Sequence, residues 1–252
     1  MEGDDISTYD SVTPTVRLGN YTQILRKTLI VSGTAEAVDK AGRSSEVSMQ
    51  LVKLGKQIRL DVEHMCVGLN VAKSAGSAST ARVSASVLSW LKTNTSEGGS
   101  GVDPAAADGT GTRTPGTPRA FTETLLKDVL QSIFINSNEE AKLMLVGPKQ
   151  KQVMSTFTGN ATRFVDAAPE KLYAAVDRYV HDFGAFEIRP DRVVRATDAL
   201  LINPELWKLA WLRPIFSEKL AKTGDAEKHA MHAEVTLEAR NEAGSGGVFD
   251  LS

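Results

Sequence analysis

A chain of 252 residues, 41 % hydrophobic and 24 % charged, has the composition of a folded globular protein and is long enough to bury one large core or two modest ones. Its formal net charge of −2 excludes the strongly basic surface by which a protein grips nucleic acid. The single cysteine, Cys66, excludes an internal disulfide, and no apolar run reaches the roughly 18 residues that cross a bilayer.

Residues 15–32 are rich in Thr, Val, Ile, Leu and Tyr and free of proline, which predicts one extended strand several times the ordinary length of about five or six residues. Its alternate positions do not separate by polarity. Val16, Leu18, Asn20, Thr22, Ile24, Arg26, Thr28 and Ile30 share one face, and Arg17, Gly19, Tyr21, Gln23, Leu25, Lys27, Leu29 and Val31 the other. Neither face is expected to rest on the chain's own core.

Helix formers follow Gly33. Val47, Leu51, Leu54, Ile58, Val62, Met65 and Leu69 recur at three- or four-residue steps, predicting a helix over residues 34–66, roughly 50 Å long. Glu36 with Lys40 and Asp39 with Arg43 would be i, i+4 pairs on its exposed side. Gly42 and Gly55 weaken it or mark close packing. Residues 70–118 then turn to Ser, Ala, Thr and Gly, interrupted by the apolar run VLSWLK at 87–92, and are expected to form a long flexible loop. The stretch TNTSEGGSGVDPAAADGTGTRTPGTPR lacks the Lys-Ser/Thr of a phosphate loop.

A mixed helix-and-sheet region comes next. FTETLLKDVLQSIF places Leu125, Leu126, Val129, Leu130 and Ile133 on one helical face, AKLMLVG supplies a short buried strand, and Pro148 opens a helix over 148–157. Strands at 175–181 and 185–189 form a hairpin through Asp182-Phe183-Gly184. DALLINPELWKLAWLRP adds two short strands, with Trp207 and Trp211 in the second. In HAMHAEVTLEARNE, Met231, Ala233, Val235, Leu237 and Ala239 alternate with His232, Glu234, Thr236, Glu238 and Arg240. That is a strand with a core side and a wet side, expected to pack on the long helix.

The search for chemistry yields no catalytic, cofactor-binding or metal-binding set. His229 and His232 point to opposite faces of the final strand and share no ion. His64 reads as a surface or packing residue, His181 as a turn residue, and Cys66 as a buried structural thiol. Gly-x-Ser-x-Gly and a strand-borne Gly-x-Gly-x-x-Gly are absent. The acid pairs Asp4-Asp5 and Glu139-Glu140 and the clusters RKT and GPKQKQ read as solvated surface, and the glycosylation sequons at Asn20, Asn94 and Asn160 are a weak pattern without meaning unless the chain is secreted.

The ordered blocks TPTVRLGNYTQILRKTLIVSGTAEAVDKAGR, FTETLLKDVLQ, MLVGPKQKQVMSTFTGNATRFVD, YVHDFGAFEIRPDR and LWKLAWLRPIFSEKLAKTGDAEKHAMHAEVTLEARNEAGSGGVFDL resemble tailed-bacteriophage major head proteins of the Hong Kong 97 type. The blocks from Ser155 to Asp166 and from Leu206 to Leu251 are the most specific. The resemblance implies an α+β subunit divided as follows: residues 1–33 the return strand of an extended loop, 34–118 a peripheral domain with a spine helix and long loop, 119–203 an axial domain, and 204–252 the strands completing the peripheral domain. It implies no enzyme and no cofactor. It implies a shell subunit that meets copies of itself in hexamers and pentamers, encloses double-stranded DNA with non-specific contact, joins other head proteins such as a portal, touches no membrane, and resides in the virion after synthesis in the host cytoplasm. Tyr21, Arg26, Lys27, Glu36, Asp39 and Arg43 are then the candidate interface residues. By the same resemblance an N-terminal arm and the outgoing strand of the loop are expected to be missing, so the return strand would offer an open edge. The alternatives are the shell of a cellular nanocompartment, a small hydrolase-like domain using Asp and Glu residues, and a nucleic-acid-binding module.

Overall fold

The computed structural model describes residues 9–12, 14–157 and 178–252. The expected strand over 15–32 is hydrogen-bonded only in its second half, β1 (Gln23–Ser32), and residues 9–12 and 14–19 are exposed without regular structure. Contrary to the mixed-face reading, β1 has an inner side that rests on the chain's own core: Leu25 and Leu29 pack against buried clusters and Val31 is itself buried. Its outer side leaves Ile24, Arg26, Thr28 and Ile30 in solvent.

The helix expected over 34–66 is broken in two, α1 (Gly33–Ala37) and α2 (Glu46–Glu63), the second closing in a π turn over His64–Gly68. Between them Val38 is extended, Lys40 and Arg43 bridge, and Gly42 adopts a φ of 81°, a left-handed turn conformation that glycine takes without steric cost. Ser45 then caps α2, its side chain accepting from the Ser48 N–H at 3.1 Å. The proposed i, i+4 pairs therefore do not form. The 18 residues of α2 span about 27 Å, half the expected length. The apolar stripe itself is correct, with Val47, Leu54, Ile58 and Val62 buried.

The chain continues through α3 (Val87–Trp90), β2 (Thr95–Ser96), α4 (Glu123–Ser137), β3 (Leu143–Val146) and α5 (Pro148–Met154). It resumes with β4 (Arg178–His181), β5 (Gly184–Pro190), β6 (Ala199–Ile202), β7 (Trp207–Lys219), β8 (Ala226–Ala239) and β9 (Gly246–Val248). The positions 175–177 of the expected hairpin, much of the 155–166 block, Asp4-Asp5 and the Asn160 sequon lie outside the described residues. Within the hairpin His181 pairs with Gly184, and its Nδ1 accepts from the Phe183 N–H at 3.2 Å, the turn role read from the sequence. Strand β7 is far longer than expected. It runs on past Pro214 because two register shifts against β8 there remove the need for a proline N–H.

Two sheets result. The first has the order β1-β8-β7, antiparallel throughout, and α2 lies on it through Leu54, Ile58, Met231 and Ala233. This is the packing of the last strand on the helix that its alternation implied. The second has the order β2-β9-β6-β3-β5-β4 and carries α4 and α5 over Leu126, Val129, Leu130, Ile133, Met144 and Leu201. A third apolar cluster joins the two sheets, with Val62, Cys66, Leu88, Trp90, Val235 and Phe249 among its members.

The segment 70–118 overturns its reading as a flexible loop. It is irregular but built in: Ala85, Leu88 and Leu91 are fully buried, and its hydrogen bonds reach Asn20, Asp250, Glu242 and Thr236. Its glycines answer close approach instead of mobility. A Cβ on Gly98 would lie 2.1 Å from the Thr117 carbonyl oxygen, and one on Gly116 2.6 Å from that of Gly98. At the centre Arg113, 3 % exposed, reaches Glu97 at 3.0 Å and Asp103, with its guanidinium carbon 3.6 Å from the centre of the Phe249 ring.

Candidate functional site

Three of the six expected interface residues are engaged within the chain. Lys27 pairs with Asp61 at 2.9 Å, tying β1 to α2. The Glu36 carboxylate accepts from the N–H groups of Glu46 at 2.9 Å and Val47 at 3.2 Å, satisfying two donors at the head of α2, and the Ser45 side chain first, then these bonds, hold its pKa below the ordinary value. Arg43 pairs with Glu46 at 2.8 Å. Gln50 and Lys40 on the same carboxylate bring Glu46 down to about 2. The other three are free of such ties: Tyr21 is 42 % exposed, and Arg26 and Asp39 are exposed with no ion-pair partner among the described residues.

Residues that sequence reasoning passed over fix where the free N-terminal segment leaves the body. Glu234, placed by alternation on the wet side of β8, is only 3 % exposed. It accepts from Thr22 at 2.7 Å, Arg82 at 2.6 Å and Arg213 at 2.9 Å, so one carboxylate clamps the entry to β1, the 70–118 segment and β7. The Thr22 bond leads in holding its pKa below the ordinary carboxylate value, partly opposed by burial. Asn20 completes the anchor, donating to Ser84 and to the Leu237 carbonyl and accepting from the Ala85 N–H at 2.9 Å. Beyond this point Tyr9, Val12, Val16 and Leu18 are 82, 91, 81 and 51 % exposed.

Between α2 and β7 runs an apolar groove. Its inner part, about 430 Å³, is floored by Val62, Cys66, Val67, Trp207 and Leu209. Its outer part, about 460 Å³, is lined by Arg59, Val62, Leu209, Trp211, Pro214 and Ile215. At the inner rim Glu63 faces Asp191, and burial with that second carboxyl pushes Glu63 above its ordinary pKa. Burial also pushes the Cys66 thiol up to about 12, so it is inert as a nucleophile near neutrality.

The Glu63 shift sets a sign for pH dependence. A carboxyl whose folded pKa is raised favours the folded state below the unfolded value of 4.5 and loses that contribution as pH rises through the folded pKa. Glu63→Gln is therefore expected to melt with the parent at pH 4 and roughly 1–3 °C higher at pH 8, a small effect because solvent screens so exposed a site. Thermal melts of both proteins at the two pH values check this, and a variant that melts lower at pH 8 refutes it.

Among the described residues no group of three or more His, Cys, Asp or Glu side chains is placed to hold a metal ion, and no helix is long and apolar enough to cross a membrane. His229 and His232 do lie on opposite faces of β8, His232 stacking on Phe216 with ring centres 5.6 Å apart.

Comparison with known proteins places this architecture. The chain is 23 % identical over 274 residues to a major capsid protein of Escherichia phage Phieco32, covering 94 % of this chain and 76 % of that protein. Among solved structures it resembles the capsid asymmetric unit of cyanophage A-1(L), with a TM-score of 0.63 and 10 % identity over 91 % of this chain and 77 % of that one. It also resembles the holo-SrpI encapsulin complex of Synechococcus elongatus, with a TM-score of 0.56 and 10 % identity over 92 % and 74 %. These likenesses carry the Hong Kong 97-type fold, α+β as the sequence implied. A family model described as SU10 major capsid protein matches residues 1–252, and the chain belongs to that family of phage capsid proteins.

Proposed function

We propose that copies of this chain tile through heterologous contacts, as hexamers and pentamers, into an icosahedral shell that encloses double-stranded DNA. The observation that carries the reading is the N-terminal segment: Tyr9, Val12, Val16 and Leu18 stand in solvent just before β1, whose own outer edge has no strand beside it among the described residues. A soluble body gains nothing by holding out such a segment, whereas a subunit that must grip its neighbour does. Heterologous contacts of this kind close into rings, and obligate ones commonly bury upwards of about 2,000 Å².

In this reading residues 9–19 reach outward, β1 joins 34–118 and 204–252 in the peripheral part, and 119–203 form the axial part. Tyr21, Arg26 and Asp39 are the interface positions left available, while Lys27, Glu36 and Arg43 contribute by shaping the arm's root. The net charge of −2 suits a wall that confines DNA without gripping each phosphate. The subunit works by geometry, with no catalytic step, is made in the host cytoplasm, ends in the virion and meets portal-type head proteins.

Electron microscopy of the purified protein with light scattering tests this. Closed shells of many subunits are expected, and a stable monomer at every concentration overturns it. The likeness to an encapsulin favours a second reading, a nanocompartment shell. Particles that co-purify with a cargo peptide instead of accepting phage DNA would select it.

A further inference from the structure

We propose that the exposed side of α2 around Lys53, Lys56 and Arg59, together with Lys208 on β7, is the surface that the subunit turns inward to the phosphates of the enclosed duplex DNA. The inference rests on the reading that copies close into a shell around DNA, and it adds which face of the subunit the DNA meets. Between Glu46 and Asp61, helix α2 carries three cations and no acid, in a chain where 31 Asp and Glu outnumber 29 Lys and Arg. An exposed helix face ordinarily mixes signs, because acid-base pairs at i, i+4 support it. Here the sign is single. All four cations are exposed, and none has an ion-pair or hydrogen-bond partner for its side chain among the described residues.

The four form one patch. Lys53, Lys56 and Arg59 follow at three-residue steps over about 9 Å of helix axis. Arg59 and Lys208 line the same groove, one from α2 and the other from β7. The acids that come next on α2 are engaged elsewhere: Asp61 is paired with Lys27 at 2.9 Å, and Glu63 faces Asp191 at the inner end of the groove. Duplex DNA presents one charge per roughly 1.7 Å of its axis, so a basic stretch of this length meets several phosphates at once, with no register to satisfy. A protein partner fits less well. Three of the four residues are lysines, which are depleted at protein interfaces, and a lysine offers a mobile point charge instead of the planar fork that fixes a carboxylate. Four cations per copy, in a subunit whose net charge is −2, give a weak, sequence-independent contact that a shell repeats over its whole wall.

Fluorescence anisotropy of a labelled DNA duplex of mixed sequence, titrated with the unassembled chain at several salt concentrations, tests this. Between about 50 and 200 mM salt the Kd is expected to rise on the order of a hundredfold, the counterion release of about four phosphates. A chain with Lys53→Gln, Lys56→Gln, Arg59→Gln and Lys208→Gln is expected to bind about tenfold more weakly at the low salt and to lose most of the salt dependence. Its melting temperature should stay within about 2 °C of the parent, because the four side chains hold nothing in the fold. A control with the exposed cations changed by Lys149→Gln, Arg178→Gln, Arg189→Gln and Lys222→Gln alters net charge equally and is expected to bind within about threefold of the parent. Equal weakening in the two variants, or no binding by the parent, overturns the proposal. So does polyglutamate that competes as well as the duplex at equal charge, which would assign the face to an acidic protein segment. Closed shells are expected to bind added duplex about tenfold less than the unassembled chain does, since the face is then enclosed. Shells that bind it equally would put the face outside and overturn the inference while leaving the tiling intact. A parent that binds as expected and never closes into shells would sink the reading beneath it and leave the DNA-binding surface standing.

Discussion

Arg113→Met is expected to lower the melting temperature of the subunit by about 6–12 °C. Arg113 is the buried cation between Glu97 and Asp103, and its side chain is 1 % exposed while theirs are 32 and 20 % exposed. Methionine keeps most of the volume and removes the charge. Two carboxylates are then left side by side, and burial with Asp103 already pushes Glu97 upward, opposed mainly by Arg113 itself. Breaking a buried pair by removing one partner costs about 3–5 kcal/mol, and the partial exposure of both acids places this case near the lower end. The loss also reaches the chain's last turn, because the guanidinium lies on Phe249, next to Asp250, whose carboxylate accepts from the Gly98 N–H at 3.0 Å.

Two further measurements separate charge from packing. Arg113→Lys restores the charge without the planar fork or the ring stacking, and is expected to recover about half of the loss. The Arg113→Met deficit should shrink at pH 4, where the freed carboxyls take up protons. A deficit equal at pH 4 and pH 8 would mean that packing on Phe249, not the ion cluster, is what the arginine supplies.

That cluster was invisible in the sequence for a physical reason. The Gly, Thr and Pro content of residues 93–119 signals few apolar groups to bury, and flexibility follows from that only if the polar groups stay in water. Here they pair with each other and with the C-terminal strand, so the segment is ordered by contacts with residues far along the chain. The glycines fit carbonyls too close for any Cβ, a signal indistinguishable in sequence from a loose linker. Elements whose cause is local were legible. Helix α4 follows from its apolar spacing and the Thr122 cap, β3 from its short buried run, and β8 from strict alternation.

The errors fall where tertiary context overrides a local pattern. The periodic stripe of the long helix begins only at Val47, and the residues before it had helix propensity but no apolar face to hold them against the sheet. Gly42 and Ser45 sufficed to end and restart the helix. Glu234 alternates correctly yet is buried, because Arg82 and Thr22 arrive from elsewhere to cover it. The groove could not be read at all, since α2 forms one wall and β7 the other and neither sequence announces its partner. The N-terminal segment was legible in part. A segment with no core to face is what residues 9–12 and 14–19 are, exposed and without regular structure, whereas β1 has an inner side on the core.

Deleting residues 2–19 is expected to leave the subunit folded and to abolish shells. The body loses little, because residues 9–12 and 14–19 are exposed and are tied to it through the Gly19 carbonyl, which accepts from Lys73 at 2.7 Å. The anchors Asn20 and Thr22 remain, so the melting temperature should move by no more than about 2 °C, the scale of an ordinary surface change. Assembly loses far more. Burying Tyr9, Val12, Val16 and Leu18 on a neighbour would contribute roughly 1.5–3 kcal/mol for each side chain before the cost of ordering the segment is subtracted. Each copy gives one such segment and receives one, so whatever net stabilisation survives is lost at every contact around a ring. Sedimentation and microscopy of the truncated protein, compared with its thermal melt, separate the two effects. A truncated chain that melts normally and still closes into shells would show that the exposed segment is not what holds neighbouring subunits together.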